Sequence, residues 1–255
     1  MKYIRPLTIL IVLICFWKII VVFTNVPPYI LPPPSSVYLA LISRPELFFE
    51  HGLTTLLEIL LGLIFGLALG TTSAVIMAYF RPARQWLLPV LVISQAVPVF
   101  ALAPILVLWF GYGITSKIVM ATLIIFFPVT AAFHDGLRRT NPGWVELART
   151  MNASRWSILK HVRIPAALPS LGSGFRVATA VAPIGAIVGE WVGSSSGLGY
   201  LMLHANARMQ IDVMFAALAI LAILSLTLYF TVDISVRRLI KWQPESPSIE
   251  NTEKL

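Results

Sequence analysis

Several residues in this sequence are of the types that hydrolases use for catalysis. Gly193-Ser-Ser-Ser-Gly197 fits the G-x-S-x-G pattern, and His204 and Asp212 follow it. A hydrolase nucleophile needs a strand–turn–helix context, whereas this segment is rich in glycine and serine and separates two apolar stretches. We therefore interpret it as a flexible outer loop. We expect no catalytic residue, and hence that the chain is not an enzyme.

Nucleotide and metal chemistry are disfavoured in the same way. Gly111-Tyr-Gly-Ile-Thr-Ser-Lys117 has glycine, serine and lysine in nearly the order of a phosphate-binding loop, but the spacing G-x-x-x-x-G-K-[ST] is not met. The single cysteine, Cys15, cannot form a disulfide within the chain, and the four histidines show no metal-ligand spacing. We expect the chain to bind no metal and no cofactor.

The composition is typical of a protein that lies in lipid. Of the 255 residues, 58% are apolar and 12% are charged, and the mean hydropathy is +0.85. A soluble domain carries about 25% charged residues, so this chain cannot cover a soluble globular surface. The net charge of +8 resides in short segments between apolar runs, which favours membrane orientation over nucleic-acid binding. We predict an all-α membrane protein in contact with lipid, without nucleic acid.

Apolar runs of about 20 residues are long enough to cross a bilayer as helices. Six such helices are predicted, at about 7–23, 53–79, 86–110, 117–133, 175–192 and 213–236. The first is expected to be retained, because no cleavage site of small residues follows it. With a cytoplasmic N-terminus, only Arg44, Lys117 and Arg208 fall in outer segments, and most other Lys and Arg fall in inner ones. Both termini are therefore expected to be cytoplasmic.

Between the first two spans, a stretch rich in proline precedes a short apolar segment. Ser35 or Ser36 is expected to cap a helix that ends near Ser43 and lies along the outer interface.

Small and acidic residues stand out within the spans. Three glycines at a four-residue spacing share one helical face, where another helix can approach closely: Gly62, Gly66 and Gly70. Acids inside a bilayer are costly. Glu58 and Glu190 are therefore interpreted as structural groups, through an interhelical hydrogen bond or placement at the membrane interface, or, together with Pro183, as parts of a solute pathway. We find no internal repeat and no acid pair at the midplane, which an ion-driven transporter would predict.

The longest inner segment, 134–174, is too apolar to be disordered. Its pattern predicts two short amphipathic helices, at about 142–150 and 154–162, with Pro142 in the first turn. Asn152 is expected to take the left-handed conformation between them, and Ser154 to cap the second helix, which should end before Ile164.

Three stretches of this loop resemble the EAA loop of binding-protein-dependent ABC importer permeases: Glu146-Leu-Ala148, Asn152-Ala153 and Ile164-Pro165-Ala-Ala-Leu-Pro169. The resemblance implies the transmembrane domain of a type I ABC importer in the bacterial cytoplasmic (inner) membrane. It implies a second copy of the chain in a homodimer, an outer solute-binding protein, and an ABC ATPase subunit that carries ATP and Mg. It also implies an ATPase-coupling role for six residues: Glu146, Ala148, Asn152, Ala153, Pro165 and Pro169.

Further motifs narrow the resemblance. Leu108-Trp-Phe-Gly-Tyr-Gly113 is similar to the taurine, sulfonate and nitrate permeases, and Gly189-Glu-Trp-Val-Gly-Ser194 is similar to permeases for thiamine-precursor pyrimidines. A carboxylate such as Glu58 or Glu190 could accept hydrogen bonds from an aminopyrimidine but would repel a sulfonate. We therefore expect a thiamine-precursor pyrimidine. The alternatives are a sulfonate, taurine or nitrate permease and an ion-coupled secondary transporter.

The expected organisation has three parts. Residues 1–50 hold the first helix and the outer amphipathic segment, residues 51–243 form the transporter domain with its coupling loop at 134–174, and residues 244–255 form a cytoplasmic tail.

This topology can be tested with reporter tags. Tags at positions 3, 140 and 250 should be accessible only from the cytoplasm, and a tag at Ser195 only from outside, because lysine and arginine retain loops on the inner side. A cytoplasmic reporter at Ser195 would contradict the six-span topology.

Overall fold

The computed structural model describes residues 4–242, and all regular structure in that range is helical. The expected tail at 244–255 lies outside the described residues. Within them the helices are α1 Ile4–Thr24, α2 Pro34–Ser43, α3 Pro45–Tyr79, α4 Arg81–Ala96, α5 Val99–Phe110, α6 Ile114–Arg138, α7 Pro142–Thr150, α8 Arg155–Ile158, α9 Ile164–Gly193, α10 Leu198–Ala207 and α11 Ile211–Leu239. The predicted all-α class is confirmed.

Among the described residues, four helical stretches are long and apolar enough to cross a membrane: α3, α6, the stretch from α8 through α9, and α11. They include four of the predicted spans but extend beyond them. For example, α3 begins at Pro45, where proline suits a first helical turn. The helix α1 contributes a shorter apolar stretch, Ile11–Thr24. The count of six spans therefore stays a prediction.

The predicted span over 86–110 is sharply bent and not one straight helix. The structure has α4 and α5 instead, with a bend of 103° between them. Val97 adopts an extended conformation immediately before Pro98. Proline has no backbone N–H and disfavours the helical conformation in the residue before it, so the break falls at this point. If this bent pair is one span, the described residues hold five.

The predicted cap of α2 is wrong. Neither Ser35 nor Ser36 caps the helix, which begins at Pro34 and has no side-chain cap. The N-cap position is occupied by Pro33, which has no side-chain acceptor, and the Ser36 N–H donates to the Pro33 carbonyl at 3.0 Å instead. The helix ends at Ser43, as predicted.

The chain divides into two compact units, each assembled from distant segments. The described part of the first unit comprises residues 4–61, 102–121 and 183–225, and that of the second comprises 62–101, 122–182 and 226–242. The core of the first unit includes Leu198, Ala216 and Ala217, and the Trp17 ring stacks on Phe215 there, with centroids 5.6 Å apart.

The second unit has its own core and a close helix pair. Its core includes Phe133, Leu137 and Leu159. A Cβ added to Gly70 on α3 would lie 2.8 Å from Val129 Cγ1 and 3.2 Å from the Phe126 carbonyl oxygen, both on α6.

The two other glycines of the predicted stripe also lie in this unit. A Cβ added to Gly66 would lie 2.7 Å from Ile125 Cβ on α6, and Gly62 is buried on α3. Backbone contact at Gly66 and Gly70 therefore brings α3 and α6 together, which is the packing that small residues permit.

Replacing Gly70 by alanine should destabilise the protein by about 1–3 kcal/mol, the usual cost of overpacking a filled site. Gly113 is the matched control, because a Cβ there would have no atom within 4 Å. The apparent thermal unfolding midpoint of each purified variant measures the difference. Equal midpoints for Gly70→Ala and Gly113→Ala would contradict the proposed packing.

Candidate functional site

The first candidate site is the segment that we call the docking segment, residues 141–163. It begins with α7, whose bounds Pro142–Thr150 agree with the predicted helix. Proline suits the first helical turn, and the Asn141 side chain accepts a hydrogen bond from the Gly143 N–H at 2.9 Å. Two residues thus start a nine-residue helix at a defined point.

A left-handed turn follows α7, as predicted. Asn152 has φ = 58°. The Asn152 N–H donates to the Arg149 carbonyl at 2.9 Å, and the Ala153 N–H donates to the Ala148 carbonyl at 3.0 Å. These two bonds form a Schellman motif, which satisfies the last carbonyls of the helix. Ser154 then caps α8 by accepting from the Ser157 N–H at 3.2 Å, also as predicted.

The prediction that this second helix ends before Ile164 is wrong. Helical structure continues from Arg155 to Gly193 over 39 residues, with a π-helical turn at Leu159–Arg163 between α8 and α9. The Ile164 N–H bonds to the Leu159 carbonyl, five residues back. Pro165 cannot donate a backbone hydrogen bond and would crowd the carbonyl four residues before it, and the wider π turn accommodates it without ending the helix.

An open apolar groove of about 780 Å³ lies along the docking segment. Its lining includes Trp144 and Leu147 on α7 and Met151 directly after it, whose exposed fractions are 56%, 62% and 76%. Large apolar side chains so exposed in one patch are typical of an interaction surface.

Of the six residues expected to couple to the ATPase, three lie in the lining of this groove. Ala148, Pro165 and Pro169 line the groove. Asn152 and Ala153 form the turn beside it, and Glu146 is exposed on α7.

The second candidate site is a set of four side chains in the first unit that we call the buried charge cluster: Thr55, Glu58, Lys117 and Glu190. All are at most 4% exposed. Lys117 Nζ lies 2.8 Å from Glu58 Oε1. Lys117 was predicted in an outer segment, but it belongs to the first turn of α6. The sequence analysis did not anticipate this ion pair between α3 and α6.

Glu190 binds the N-terminus of α10. Its carboxylate accepts hydrogen bonds from the Thr55 hydroxyl at 2.6 Å, the Gly199 N–H at 2.5 Å and the Tyr200 N–H at 3.4 Å. The same Thr55 oxygen accepts from the Leu198 N–H at 2.8 Å. The first N–H groups of a helix have no partner within it and carry partial positive charge. A buried carboxylate satisfies both needs at this helix end.

The Gly- and Ser-rich segment before α10, expected to be a flexible loop, is tied down by hydrogen bonds. The Gly197 N–H donates to His51 Nδ1 at 3.0 Å, and Gly197 has φ = 110°. A Cβ at Gly197 would overlap the Glu190 carboxyl group. Within the described residues no strand occurs, so Ser195 is not in a nucleophile elbow.

These contacts change the interpretation of the predicted solute pathway. The oxygens of Glu190 are occupied by the chain itself, and Glu58 is 0% exposed. Pro183 is buried within α9. The carboxylates are thus engaged in interhelical bonds, one of the two predicted roles. No group of three or more His, Cys, Asp or Glu in the described range could hold a metal ion.

Comparison with known proteins identifies similar chains. Residues 62–242 match the family described as "Binding-protein-dependent transport system inner membrane component". A probable ABC transporter permease protein of Haemophilus influenzae is 55% identical over 94% of this chain and 98% of its own length. The formylaminopyrimidine transport permease ThiX of Halalkalibacterium halodurans is 36% identical, over 94% and 96%. The riboflavin transport permease RibX of Chloroflexus aurantiacus is 38% identical, over 93% and 89%.

Solved structures agree on the fold. A chain of the MetNI methionine ABC transporter, in an inward-facing conformation, aligns with a TM-score of 0.67 at 23% identity. The alignment covers 77% of this chain and 97% of that chain. The fold is therefore that of an ABC importer transmembrane domain, as predicted.

Charge balance predicts unequal effects of mutations in the buried charge cluster. When Glu58, Glu190 and Lys117 are all ionised, the cluster holds two negative charges and one positive charge. Lys117→Met leaves the carboxylates uncompensated and should cost roughly 3–5 kcal/mol, as for other broken buried pairs. Glu58→Gln leaves one charge of each sign and should change the thermal midpoint little.

The double variant Lys117→Met/Glu58→Gln should regain much of the stability that Lys117→Met loses, because Glu190 keeps its own donors. Thermal midpoints of the four proteins in one detergent test this. An unchanged midpoint in Lys117→Met would refute the charge-balance argument.

Proposed function

Because the chain belongs to the family of binding-protein-dependent transport system inner membrane components and is the permease subunit of an ABC importer, we propose that its docking segment seats on an ATPase subunit. We further propose that the solute is a planar nitrogen heterocycle of the pyrimidine type. The permease is a transport subunit and not an enzyme, so ATP and Mg bind the partner ATPase.

The exposed groove along α7 carries the proposal of ATPase docking. Trp144, Leu147 and Met151 present apolar surface beside a helix held at both ends by hydrogen-bonded caps. A rigid, capped helix loses little conformational entropy on binding, and exposed aromatic and methionine side chains are typical of interface centres. The flanking Arg149 and Arg155 are charged and exposed, so this face suits a protein groove with an acidic rim.

The remaining assembly follows from the same family. Two copies of the chain would enclose one pathway about a two-fold axis, and an outer binding protein would deliver the solute. The distribution of Lys and Arg supports cytoplasmic termini in a bacterial inner membrane, with the docking segment on the cytoplasmic side. ATP binding would draw the two docking segments together and open the pathway outward, and hydrolysis would return it inward.

The relatives' names support a heterocyclic solute. ThiX, 36% identical, is named for formylaminopyrimidine, and RibX, 38% identical, is named for riboflavin. Both compounds contain a flat six-membered ring with nitrogen atoms that donate and accept hydrogen bonds. The sequence motifs similar to thiamine-precursor permeases favour the pyrimidine, with riboflavin as the second candidate and a sulfonate, taurine or nitrate as the third.

Asn152 offers a sharp test of docking. Valine at φ = 58° should cost more than about 1 kcal/mol in the turn and displace α7, whereas glycine accepts this conformation freely. We expect Asn152→Val to lose ATP-driven uptake and co-purification with the ATPase, and Asn152→Gly to keep both. Normal assembly and uptake by Asn152→Val would count against docking through this turn, provided that both variants reach the membrane in equal amounts.

Uptake into membrane vesicles with the ATPase and the cognate binding protein tests the solute. Labelled hydroxymethylpyrimidine or formylaminopyrimidine should be taken up, unlabelled riboflavin should compete weakly or not at all, and taurine should not compete. Uptake of taurine or an alkanesulfonate, unaffected by an excess of pyrimidine, would overturn the heterocycle proposal and leave the ABC importer assignment unchanged.

A further inference from the structure

One hydrogen bond ties the Gly- and Ser-rich segment before α10 to α3. The Gly197 N–H donates to Nδ1 of His51 at 3.0 Å. A ring nitrogen that accepts a hydrogen bond carries no proton, so the neutral ring holds its proton on Nε2. His51 is half-buried, and its ring stacks on Tyr200 with centroids 5.9 Å apart, which gives the ring a defined orientation. The bond to Gly197 therefore requires an uncharged imidazole in one tautomer.

Protonation of His51 removes this bond and adds a repulsion. An imidazolium carries a proton on both nitrogens, so Nδ1 becomes a donor that faces another donor. The ring also lies at the N-terminus of α10. The first N–H groups of a helix give this end a partial positive charge, which disfavours a cation beside it. An unperturbed imidazole titrates between about pH 5 and pH 8, so this change belongs to mildly acidic conditions.

The titratable groups of α3 and α10 around His51 do not replace the lost bond. Glu50, the next residue on α3, favours the imidazolium, but it is exposed and its charge is screened by water and salt. On α10, Tyr200 stacks on the His51 ring and His204 contacts Tyr200. Neither of these two side chains supplies a carboxylate that could pair with an imidazolium.

The other helices of the first unit do not supply a free acid either. Glu190 of α9 binds the same helix end, but its carboxylate already accepts from Thr55 and from two N–H groups of α10. On α11, apolar Ile220 approaches Gly52, the residue after His51. The bonds of Thr55 and Glu190 to α10 do not involve the His51 ring, so the helix stays attached when the bond to Gly197 is lost.

We propose that His51 is a proton-sensitive latch. The neutral ring holds the segment at 193–197 against α3, and the imidazolium releases this segment while α10 remains attached through Thr55 and Glu190. Because the segment lies on the predicted outer side, the latch responds to the pH outside the membrane. The inference depends neither on the solute nor on the ATPase contact proposed above.

Hydrogen–deuterium exchange of the permease–ATPase complex in lipid nanodiscs tests the latch. The measured quantity is the protection factor of the Gly197 amide, obtained from overlapping peptides and corrected for the effect of pH on the chemical exchange rate. From about pH 8 to about pH 5, wild-type protection should fall about tenfold, the ratio expected for the loss of one hydrogen bond together with repulsion at a helix end. Equal protection at the two pH values would overturn the proposal.

Three variants separate the latch from a general effect of acid. His51→Asn places an amide oxygen where Nδ1 lies, and this oxygen accepts at every pH. The variant should keep high protection at both pH values, whereas His51→Ala should show low protection at both. His204→Asn is the matched control, because His204 is exposed and the Gly197 N–H is bonded to His51 instead, so the wild-type pH dependence should remain. A wild-type fall in protection in His51→Asn would refute the latch and leave the proposed function intact.

Discussion

The N-terminus of α10 is satisfied by side chains from other helices. This helix has no side-chain cap of its own, since Gly197 occupies the N-cap position. Its first N–H groups are bound by His51, Thr55 and Glu190. A buried carboxylate is stable only when charge and hydrogen bonds compensate it, and Glu190 obtains both from the helix end and from nearby Lys117. The segments of the first unit are thus joined around one helix terminus, and removing either the acid or the donors leaves the other unpaired.

Local chemistry was predictable from the sequence, and pairing between helices was not. The Asn152 turn, the α7 bounds and the close approach at Gly66 and Gly70 each follow from residues within one helical turn or from one repeating spacing. The buried charge cluster joins residues 59 and 135 positions apart. No periodicity links such positions. Lys117 was therefore assigned to an outer segment, and the Gly- and Ser-rich segment at 193–197 was interpreted as a flexible loop.

Gly197 and Gly199 carried a sequence signal for the contact with Glu190. Gly197 needs a positive φ, and neither Gly197 nor Gly199 has room for a Cβ beside the Glu190 carboxyl group. Two glycines that flank a helix start and follow an intramembrane acid by seven and nine residues indicate that the acid folds back onto the helix terminus.

The structural effect of a proline was not predictable from the sequence. Pro98 breaks its helix, whereas Pro165 is absorbed by a π turn, and the sequence pattern alone does not distinguish the two outcomes.

The continuity of α8 and α9 gives the proposed mechanism a physical path. The helical stretch that begins at Arg155, directly after the docking segment's turn, contains Glu190 near its other end. Within this stretch, the π turn at Leu159–Arg163 is where the hydrogen bonding departs from the α-helical register. Glu190 in turn holds the N-terminus of α10 through the Gly199 and Tyr200 N–H groups. Coupling of this kind requires two alternative arrangements of a shared element, and the π turn is the point on this stretch where the hydrogen-bond register can change.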